Sequence, residues 1–485
     1  MKTKDRPNVV FVLTDDQGYW ALGCNGNPDI ITPNIDRLAA EGTRFENFFC
    51  VSPVCSPARA SLLTGRIPSQ HGVHDWLREG NTGKGAIEYL KGIRGYPQDL
   101  ADSGYQCALS GKWHLGDSIN PQMGFTRWYV HQRGGGNYYK APMIKNGKLI
   151  EEEGYVTDAI TDNAISFMRE MARSPDPFYL SVHYTAPHSP WVNNNHPREL
   201  TGLYENCSFS SCPIQEPHPW AIFSTAPDAP TLQDVKYPQE SLKGYYGAVT
   251  GVDRGVGRIL EELENLDKLD NTLIIFAGDN GFNCGHHGIW GKGNGTFPIN
   301  MYDTSVKVPF VIRHPARINA GTVVKEMVSA YDFMPTLLEY LDITRCEEEG
   351  VRLPGKSFVP LLTGRTTASG GEERPVVVFD EYGPVRMIRT GNDKYVIRYP
   401  YGPDEYYCLD KDPEENHNEI DNPLYADRIV SLKNQMEEWF IRYADPGIDG
   451  RFERVSGNGQ VGLAGIKARG KKNYLELGHR LSVDV

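Results

Sequence analysis

The sequence lacks any apolar stretch long enough to span a membrane, and no apolar core of a signal peptide follows the first residues. We therefore expect a soluble protein without a membrane span, cytoplasmic as written, or periplasmic or secreted if an export signal was removed. Cysteine is scarce: nine residues, odd in number and scattered, do not form a disulfide framework. Cys207 and Cys212 are close enough to pair locally, but two reduced thiols are an equally good interpretation.

An excess of positive charge is also missing. The chain has 50 Lys and Arg against 62 Asp and Glu, a formal net charge of −12. Proteins that bind nucleic acids or other polyanions usually carry a basic excess, so we expect no nucleic-acid partner. An anionic ligand must then be bound by positively charged residues at its own site. Repeats and low-complexity tracts are absent as well, which favours a globular enzyme.

Short apolar runs alternate with amphipathic stretches through the first 371 residues. The predicted strands are residues 8–14, 106–110, 178–183, 272–277 and 308–313, and the predicted helices are residues 32–42, 156–172 and 251–266. Strands that alternate with helices are typical of a parallel sheet covered on both faces. The sequence therefore predicts an α/β fold, with a large, mostly parallel sheet sandwiched by helices.

The pattern changes after residue 371. Closely spaced strands at residues 375–380, 385–389 and 394–398 are joined by turn residues and followed by a helix at 426–443. This predicts a smaller antiparallel sheet with a helix. We expect a catalytic domain at residues 1–371, a small α+β subdomain at 372–445, and a glycine-rich tail at 446–485 that is either mobile or folded back near the active site.

Two of the predicted strands end in paired oxygen-bearing side chains. Asp15 and Asp16 follow the first strand, and Asp279 and Asn280 follow the strand near residue 275. Strand carboxyl ends gather along one edge of a doubly wound sheet, where ligands bind. Three carboxylates and an amide oxygen suit a hard cation such as Ca²⁺ or Mg²⁺, and the lack of histidine argues against zinc. Either pair alone would more often be an ordinary turn, because these residues are common turn formers.

A second motif begins at Cys55, where a predicted helix starts with Pro57 near its first position. The unpaired N–H groups at a helix amino terminus favour a neighbouring anion. Arg59 lies four residues on, on the same helical face, and adds a fixed positive charge. A buried packing cysteine is the usual alternative for a lone cysteine.

The run from Cys55 to Arg66 resembles the signature of the sulfatase family, Cys-x-Pro-x-Arg followed by Leu-Thr-Gly-Arg. The resemblance is to the formylglycine-dependent, type I sulfatases of the alkaline phosphatase superfamily, and it implies an alkaline phosphatase-like fold. Further matching segments occur in the family's order: Asp15-Asp16, GKWHLG at 111–116, APHSP at 186–190, GDNG at 278–281, GKG at 291–293 and LDKDPEE at 409–415.

The resemblance implies hydrolysis of a sulfate ester, with release of inorganic sulfate through a formylglycine-diol nucleophile and a sulfo-enzyme intermediate. In the family a maturation enzyme oxidises the cysteine that corresponds to Cys55, so this enzyme is an expected transient partner. A diol oxygen also suits a hard metal better than a thiolate does. The implied metal ligands, for Ca²⁺ or alternatively Mg²⁺, are Asp15, Asp16, the modified Cys55, Asp279 and Asn280.

The resemblance also implies roles for the polar residues of the other matching segments. Lys112 would bind sulfate, and His114 would remove a proton from the second diol hydroxyl. His188 would contact the ester oxygen, and Lys292 would lie on the same side. One of the two would protonate the leaving alcohol, and His188 is favoured because imidazole titrates near neutrality. His183 is the rival, with a structural role expected. The expected catalytic residues are Cys55, Arg59, Lys112, His114, His188 and Lys292.

Substrate-binding residues are predicted from two segments. His74 and Trp76 lie close downstream of the Cys55 helix, and could line the pocket. Arg133 and Asn137 flank a glycine run between aromatic residues, which could bind a sugar or be a surface hairpin. The histidines at positions 71, 286 and 287 are expected to be solvated or hydrogen-bonded loop residues. A sulfated carbohydrate is the expected substrate, with other small sulfate esters as alternatives.

Two other functions compete with sulfate ester hydrolysis. Phosphonate monoester or phosphodiester hydrolases of the same superfamily use similar ligands, but commonly have histidine where this chain has Asn280. That difference favours sulfate. A catalytically inactive carbohydrate-binding protein is the alternative of another class, and the presence of every expected catalytic residue argues against it.

Overall fold

The computed structural model describes residues 6–192, 194–222, 236–364, 375–380, 384–453, 455–468 and 470–475. The expected boundary between residues 371 and 372 lies outside the described residues, as do residues 476–485 of the expected tail. The division into domains therefore stays a prediction. No helix in the described ranges is both long and apolar enough to cross a bilayer.

Eighteen strands are present in the described part of the chain. They are β1 (Asn8–Thr14), β2 (Thr43–Phe45), β3 (Phe48–Phe49), β4 (Gln106–Gly111), β5 (Arg127–His131), β6 (Ala141–Lys145), β7 (Lys148–Glu152), β8 (Phe178–His183), β9 (Thr272–Gly278), β10 (Asn283–Cys284), β11 (Trp290–Gly291), β12 (Phe310–Arg313), β13 (Thr322–Val324), β14 (Val328–Ser329), β15 (Val376–Asp380), β16 (Val385–Arg389), β17 (Asp393–Arg398) and β18 (Glu405–Cys408).

Eleven α-helices accompany these strands within the same ranges. They are α1 (Pro33–Glu41), α2 (Cys55–Thr64), α3 (Pro68–His71), α4 (Tyr96–Asp102), α5 (Val156–Met171), α6 (Arg198–Thr201), α7 (Lys236–Asn265), α8 (Asp303–Val306), α9 (Phe333–Tyr340), α10 (Val359–Leu362) and α11 (Ala426–Tyr443).

Ten strands form one mixed sheet in the spatial order β13-β2-β12-β9-β1-β8-β4-β5-β6-β7. The central strands β9, β1, β8, β4 and β5 are parallel to one another. Strand β12 is antiparallel to β9, and β6 is antiparallel to β5. The structure confirms the predicted large, mostly parallel sheet. Strands of two or three residues, such as β2 and β13, were not predicted because so short a run shows no periodicity.

Strand β1 is buried on both faces of the sheet. Val10 and Val12 pack into a core with α1, α5 and α7, whereas Val9, Phe11 and Leu13 pack into the core that contains α2, α4 and α9. Successive side chains of a strand point to opposite faces, which explains this division. Helices therefore cover both faces, as predicted.

Helix α7 begins at Lys236, fifteen residues before the predicted start at residue 251. The missed part contains Gly244, which obscures the helical pattern. This glycine is required by packing, because a Cβ atom there would lie 2.1 Å from the carbonyl oxygen of Trp191. Buried aromatic residues at 245 and 246 continue the apolar face around it.

Strands β15, β16, β17 and β18 form a separate antiparallel sheet, against which α11 packs through Leu432, Met436 and Phe440. This confirms the predicted smaller sheet with a helix, and α11 has the predicted bounds. Strand β18 was not predicted, because the preceding residues have the composition of a turn. All nine cysteines are free thiols, Cys207 and Cys212 included.

Candidate active site

Two adjacent strand ends bring the predicted metal ligands together. Strands β1 and β9 are neighbours, with Thr14 opposite Gly278, so the residues that follow them meet at one edge. The backbone N–H of Asp16 donates to Asp279 Oδ1 (3.2 Å), and Asn280 Nδ2 donates to Asp16 Oδ1 (2.8 Å). Asp15 is completely buried beside them. All four predicted residues therefore belong to one cluster.

The donor atoms of this cluster fit a hard divalent cation. Asp15, Asp16 and Asp279 each offer a carboxylate oxygen, and these oxygens lie within 4.8 Å of one another. Asp15 Oδ1 and Asn280 Oδ1 are buried, yet neither accepts a hydrogen bond from the residues that the structure describes. A buried acceptor without a donor is costly unless another group satisfies it. An oxygen-only set is what Ca²⁺ and Mg²⁺ prefer.

Cys55 is the first residue of α2 and is almost completely buried. Its Sγ lies 2.7 Å from Lys292 Nζ and 3.9 Å from Asp16 Oδ1. Burial and the negative charge of Asp15 raise the pKa of the thiol to about 12. At neutral pH the thiol is therefore protonated, and a protonated thiol is a poor nucleophile.

Each carboxylate of the cluster is paired with a buried cation. Burial opposes ionisation of Asp15, but the Lys112 ammonium and further positive charges hold the pKa of Asp15 well below its usual value. Burial and the charge of Asp15 raise the pKa of Asp279 to about 7. The three pairs are Lys112 with Asp15, Lys292 Nζ with Asp16 Oδ1 (2.6 Å), and Arg59 Nε with Asp279 Oδ2 (2.8 Å).

His114 is held at the site by backbone groups. Its Nε2 lies 3.0 Å from the carbonyl oxygen of Leu77, while its Nδ1 has no hydrogen-bond partner in the described ranges. Burial and the charge of Lys112 lower the pKa of His114 well below its usual value. A neutral imidazole with one unpaired nitrogen can accept a proton.

The side chain of His188 is 27% exposed, which places it where the cluster opens to solvent. Its Nε2 is 3.6 Å from Asp16 Oδ2, and its Nδ1 is 2.7 Å from the carbonyl oxygen of Ser189. Burial lowers the pKa of His188, although the charge of Asp16 opposes this. The position of His188 allows contact with a ligand that approaches the predicted metal ligands from solvent.

The first pair of residues predicted to bind substrate, His74 and Trp76, contacts residues of the C-terminal segment, and a substrate role for this pair stays a prediction. His74 is completely buried, with Nδ1 2.8 Å from the Tyr474 hydroxyl and Nε2 3.1 Å from the Pro68 carbonyl oxygen. Both contacts would have to break before this ring could reach a ligand. Trp76 is half-buried, and its Nε1 donates to the Gly457 carbonyl (3.4 Å).

Arg133 and Asn137 are exposed on either side of the glycine run 134–136, in the loop that joins β5 to β6. The glycines between them pass close to both histidines of the site. A Cβ atom at Gly134 would lie 2.2 Å from the His114 ring, and one at Gly135 would lie 3.3 Å from the His188 ring. The loop is therefore part of the rim, and a substrate role for Arg133 and Asn137 stays a prediction.

Sequence reasoning missed three contributions to the site. The carbonyl of Leu77 carries no residue-type signal, so no motif could have shown it. Ser56 was passed over although it follows Cys55 directly: its Oγ accepts from the Leu77 N–H (3.1 Å). Gly134 could have been found only by knowing which ring packs against it.

His183, the rival proton donor, is buried with Nδ1 3.3 Å from the Lys112 carbonyl oxygen.

The large, mostly parallel sheet between helices, with a smaller antiparallel sheet, is an alkaline phosphatase-like fold. A model of the sulfatase family matches residues 7–343, and a model described as N-sulphoglucosamine sulphohydrolase, C-terminal, matches residues 285–441. The chain belongs to the sulfatase family, and it is a sulfuric ester hydrolase.

Relatives with a defined substrate in their names include two bacterial enzymes. The chain is 30% identical to an N-acetylglucosamine-6-O-sulfatase of Bacteroides thetaiotaomicron, over 91% of this chain and 87% of that protein. It is also 30% identical to a choline-sulfatase of Rhizobium meliloti, over 87% and 84%. The two names differ in substrate, so the family by itself does not define one.

Solved structures of similar fold include a complex with a sulfated sugar and a phosphonate monoester hydrolase. The structure of BT4656 in complex with its substrate D-glucosamine-2-N,6-O-disulfate has a TM-score of 0.75 and 27% identity, and the match covers 93% of this chain and all of that chain. A phosphonate monoester hydrolase of Agrobacterium radiobacter has a TM-score of 0.68 at 20% identity, covering 90% and 96%. At that identity the likeness is one of fold alone.

Proposed function

We propose that this sulfatase hydrolyses a sulfate ester of a carbohydrate, and that residue 55 acts as formylglycine. The observation that carries the nucleophile assignment is the location of Cys55, at the amino terminus of α2 with Lys292 and Asp16 within 4 Å of its sulfur. As a buried neutral thiol it has little reactivity. An oxygen nucleophile at the same position would suit the carboxylate-rich surroundings far better.

Asp15, Asp16, Asp279 and Asn280 would hold a hard divalent cation, Ca²⁺ or alternatively Mg²⁺. When bound, such a cation stabilises negative charge on a nearby nucleophile oxygen and on a sulfate group. The charges of the chain support this proposal. The three carboxylates are already balanced by Arg59, Lys112 and Lys292. A divalent cation would then make the site positive, as a sulfate ester requires, in a chain whose net charge is −12.

The remaining polar groups divide between holding sulfate and moving protons. The Lys112 and Lys292 ammonium groups and the Arg59 guanidinium surround the start of α2, where they can bind sulfate oxygens. His114 has a neutral ring with an unpaired Nδ1, which suits a base. His188 is partly open to solvent, which suits an acid that protonates the leaving alcohol.

A carbohydrate substrate is supported by the relatives and by the rim of the site. Two of the similar proteins act on sulfated glucosamine derivatives, according to their names. The exposed Arg133 and Asn137 flank the glycine loop beside His188, where they could bind hydroxyl or further acidic groups of a sugar. A 6-O-sulfated hexosamine is therefore the first substrate to test.

The test begins with protein expressed together with a formylglycine-generating enzyme. Mass spectrometry of the peptide that contains residue 55 measures the modification. Sulfate release is then measured with N-acetylglucosamine-6-sulfate, choline sulfate, an aryl sulfate and a phosphonate monoester, before and after chelation and with Ca²⁺ or Mg²⁺ restored. We expect release from the sugar, loss of activity on chelation, and a fall in kcat of more than about 10³-fold for Cys55→Ala.

Each result separates one part of the proposal. Normal activity of Cys55→Ala would overturn the nucleophile assignment. Full activity of the metal-free enzyme would overturn the cation site. Faster turnover of the phosphonate than of every sulfate ester would favour the phosphonate monoester hydrolase alternative. Faster turnover of choline sulfate or the aryl sulfate than of the sugar would overturn the carbohydrate assignment alone.

A further inference from the structure

A segment near the C-terminus pairs with the backbone beside the active site. The clamp segment, residues 455–462, lies against residues 72–78, the stretch that follows α3. The N–H of Gln460 donates to the Trp76 carbonyl (2.8 Å), and the N–H of Arg78 donates to the Gln460 carbonyl (3.0 Å). Leu77 thus lies in a parallel bridge with Gln460, although the two are far apart in sequence.

The side chain of Gln460 also forms hydrogen bonds with the backbone of residues 72–75. Its Oε1 accepts from the backbone N–H groups of His74 (2.8 Å) and Asp75 (3.3 Å). Its Nε2 donates to the carbonyls of Gly72 (2.9 Å) and Gly462 (2.9 Å). The side chain is fully buried with both polar atoms satisfied, so it restrains residues 72–75 strongly.

The held stretch ends at Leu77, whose backbone joins the two reactive parts of the site. Its N–H donates to Ser56 Oγ, next to Cys55, and its carbonyl oxygen faces His114 Nε2 at 3.0 Å. A carbonyl oxygen can only accept a hydrogen bond, so the proton of the neutral His114 ring must be on Nε2. His114 Nδ1 is then the basic nitrogen, and it is the one without a partner in the described part of the chain.

We propose that Gln460 is a positioning residue for His114: by holding residues 72–77 it keeps the Leu77 carbonyl at Nε2, and thereby keeps Nδ1 free as the base. Gly134 packs against the ring and leaves it little room to turn. The kinetic part of this inference rests on the base role proposed for His114 above. The tautomer of His114 does not depend on that role, and it is measurable without substrate.

Both parts are tested with Gln460→Met, which keeps the length of the side chain but removes its hydrogen bonds. Imidazole ¹⁵N NMR of the wild type, with His114→Gln to assign the signal among the 13 histidines, should show His114 as the Nε2–H tautomer. In Gln460→Met we expect a mixture of tautomers. We also expect kcat to fall about 10- to 100-fold while KM changes by less than about threefold.

The matched control is Ser456→Ala. Ser456 is a buried polar residue of the same segment, and its Oγ donates to the Leu475 carbonyl (2.5 Å) rather than to residues 72–78. We expect this variant to keep the wild-type tautomer and kcat. A kcat fall in Ser456→Ala as large as in Gln460→Met would show a general loss of packing, and would overturn the specific role of Gln460.

Further outcomes of these measurements would also overturn or support the positioning role of Gln460. A wild-type His114 with its proton on Nδ1, or a Gln460→Met variant with an unchanged tautomer and unchanged kcat, overturns the proposal. If Gln460→Met fails to fold, Gln460→Asn tests the same contacts more gently, because it keeps the amide but shortens the side chain by one methylene group. Unchanged tautomer and kcat in that variant would then overturn it. An altered tautomer in a protein that hydrolyses no sulfate ester would sustain the positioning role and overturn only the proposed function.

Discussion

At the residue scale, Gly134 shows how a residue without a side chain can determine the position of a neighbouring ring, that of the proposed base His114. The ring of His114 occupies the space beside its Cα, and a Cβ atom there would lie 2.2 Å from the ring. Such a distance is far below van der Waals contact, so the ring would have to move. The Leu77 carbonyl at Nε2 would then lose its alignment.

We therefore expect Gly134→Ala to lower kcat by about 10²-fold, since displacement of a reacting group by about 1 Å has effects of this size. The melting temperature should change little, because the loop lies at the rim of the site. The control is Gly202→Ala, where a Cβ atom would meet nothing within 4 Å. A Gly134→Ala variant with wild-type kcat would show that the loop moves to accommodate the methyl group while the His114 ring stays in place.

At the scale of elements, the short helix α8 supports the loop that carries Lys292. The side chain of Asn300 is buried, and its Nδ2 donates to the carbonyls of Lys292 and Gly293, both at 3.1 Å. Its Oδ1 accepts from Ser305 Oγ (2.7 Å), which belongs to α8. The position of Lys292 next to Asp16 therefore depends on contacts made by its backbone as well as by its ammonium group.

Substitution of Asn300 by alanine should affect stability and activity together. Two buried carbonyls would lose a donor, which costs about 1–3 kcal/mol. We expect kcat to fall about tenfold or more, because Lys292 would lose its fixed orientation. Asn47→Ala is the matched control: Asn47 Nδ2 also donates to a backbone carbonyl, that of Lys325 (2.8 Å), but it is half-buried and lies elsewhere. Equal kcat in the two variants would contradict the support role of α8.

At the scale of the whole molecule, a buried ion network joins the small sheet to helix α8. Lys394 of β17 is fully buried, and its Nζ contacts Asp303 Oδ1 (2.6 Å), the Met301 carbonyl (2.9 Å) and Glu415. Asp303 begins α8, so the network connects the small sheet to the support of Lys292. Glu415 belongs to the LDKDPEE segment at 409–415, whose resemblance to the family carried no residue role.

We expect Lys394→Met to lower the free energy of unfolding by about 3–5 kcal/mol, because it leaves two buried carboxylates without their main partner. Burial already raises the pKa of Glu415 to about 7, and loss of Lys394 would raise it further. A raised carboxyl pKa adds stability below the unfolded pKa, which is lost as pH rises through the folded pKa. The loss should therefore be smaller near about pH 5 than near about pH 8.

Urea unfolding at both pH values measures this effect. The control is Arg37→Met, which removes exposed pairs with Glu41 (2.7 Å) and Glu264 (3.0 Å), each expected to contribute at most about 1 kcal/mol. A Lys394→Met variant no less stable than Arg37→Met would show that the network contributes little to the stability of the protein.

The family, the main strands of the sheet and the proximity of the acidic residues at two strand ends could be derived from the sequence because each depends on local patterns. Strand β1 and helix α11 have the predicted bounds, since their apolar periodicity is uninterrupted and their ends carry clear turn residues. Asp15 and Asp279 could be expected to meet because strand carboxyl ends share one edge of the sheet. The Cys55 motif is contiguous, so it can be recognised without a structure.

The tertiary structure alone decided the contacts between distant parts of the chain. Nothing near Gln460 in sequence indicates that it pairs with Leu77, and no residue type marks the Leu77 carbonyl as the partner of His114. The early start of α7 was hidden for the same reason, since Gly244 is explained only by the approach of Trp191. Local periodicity determines elements and motifs, whereas packing determines which backbone groups and which glycines surround the reacting atoms.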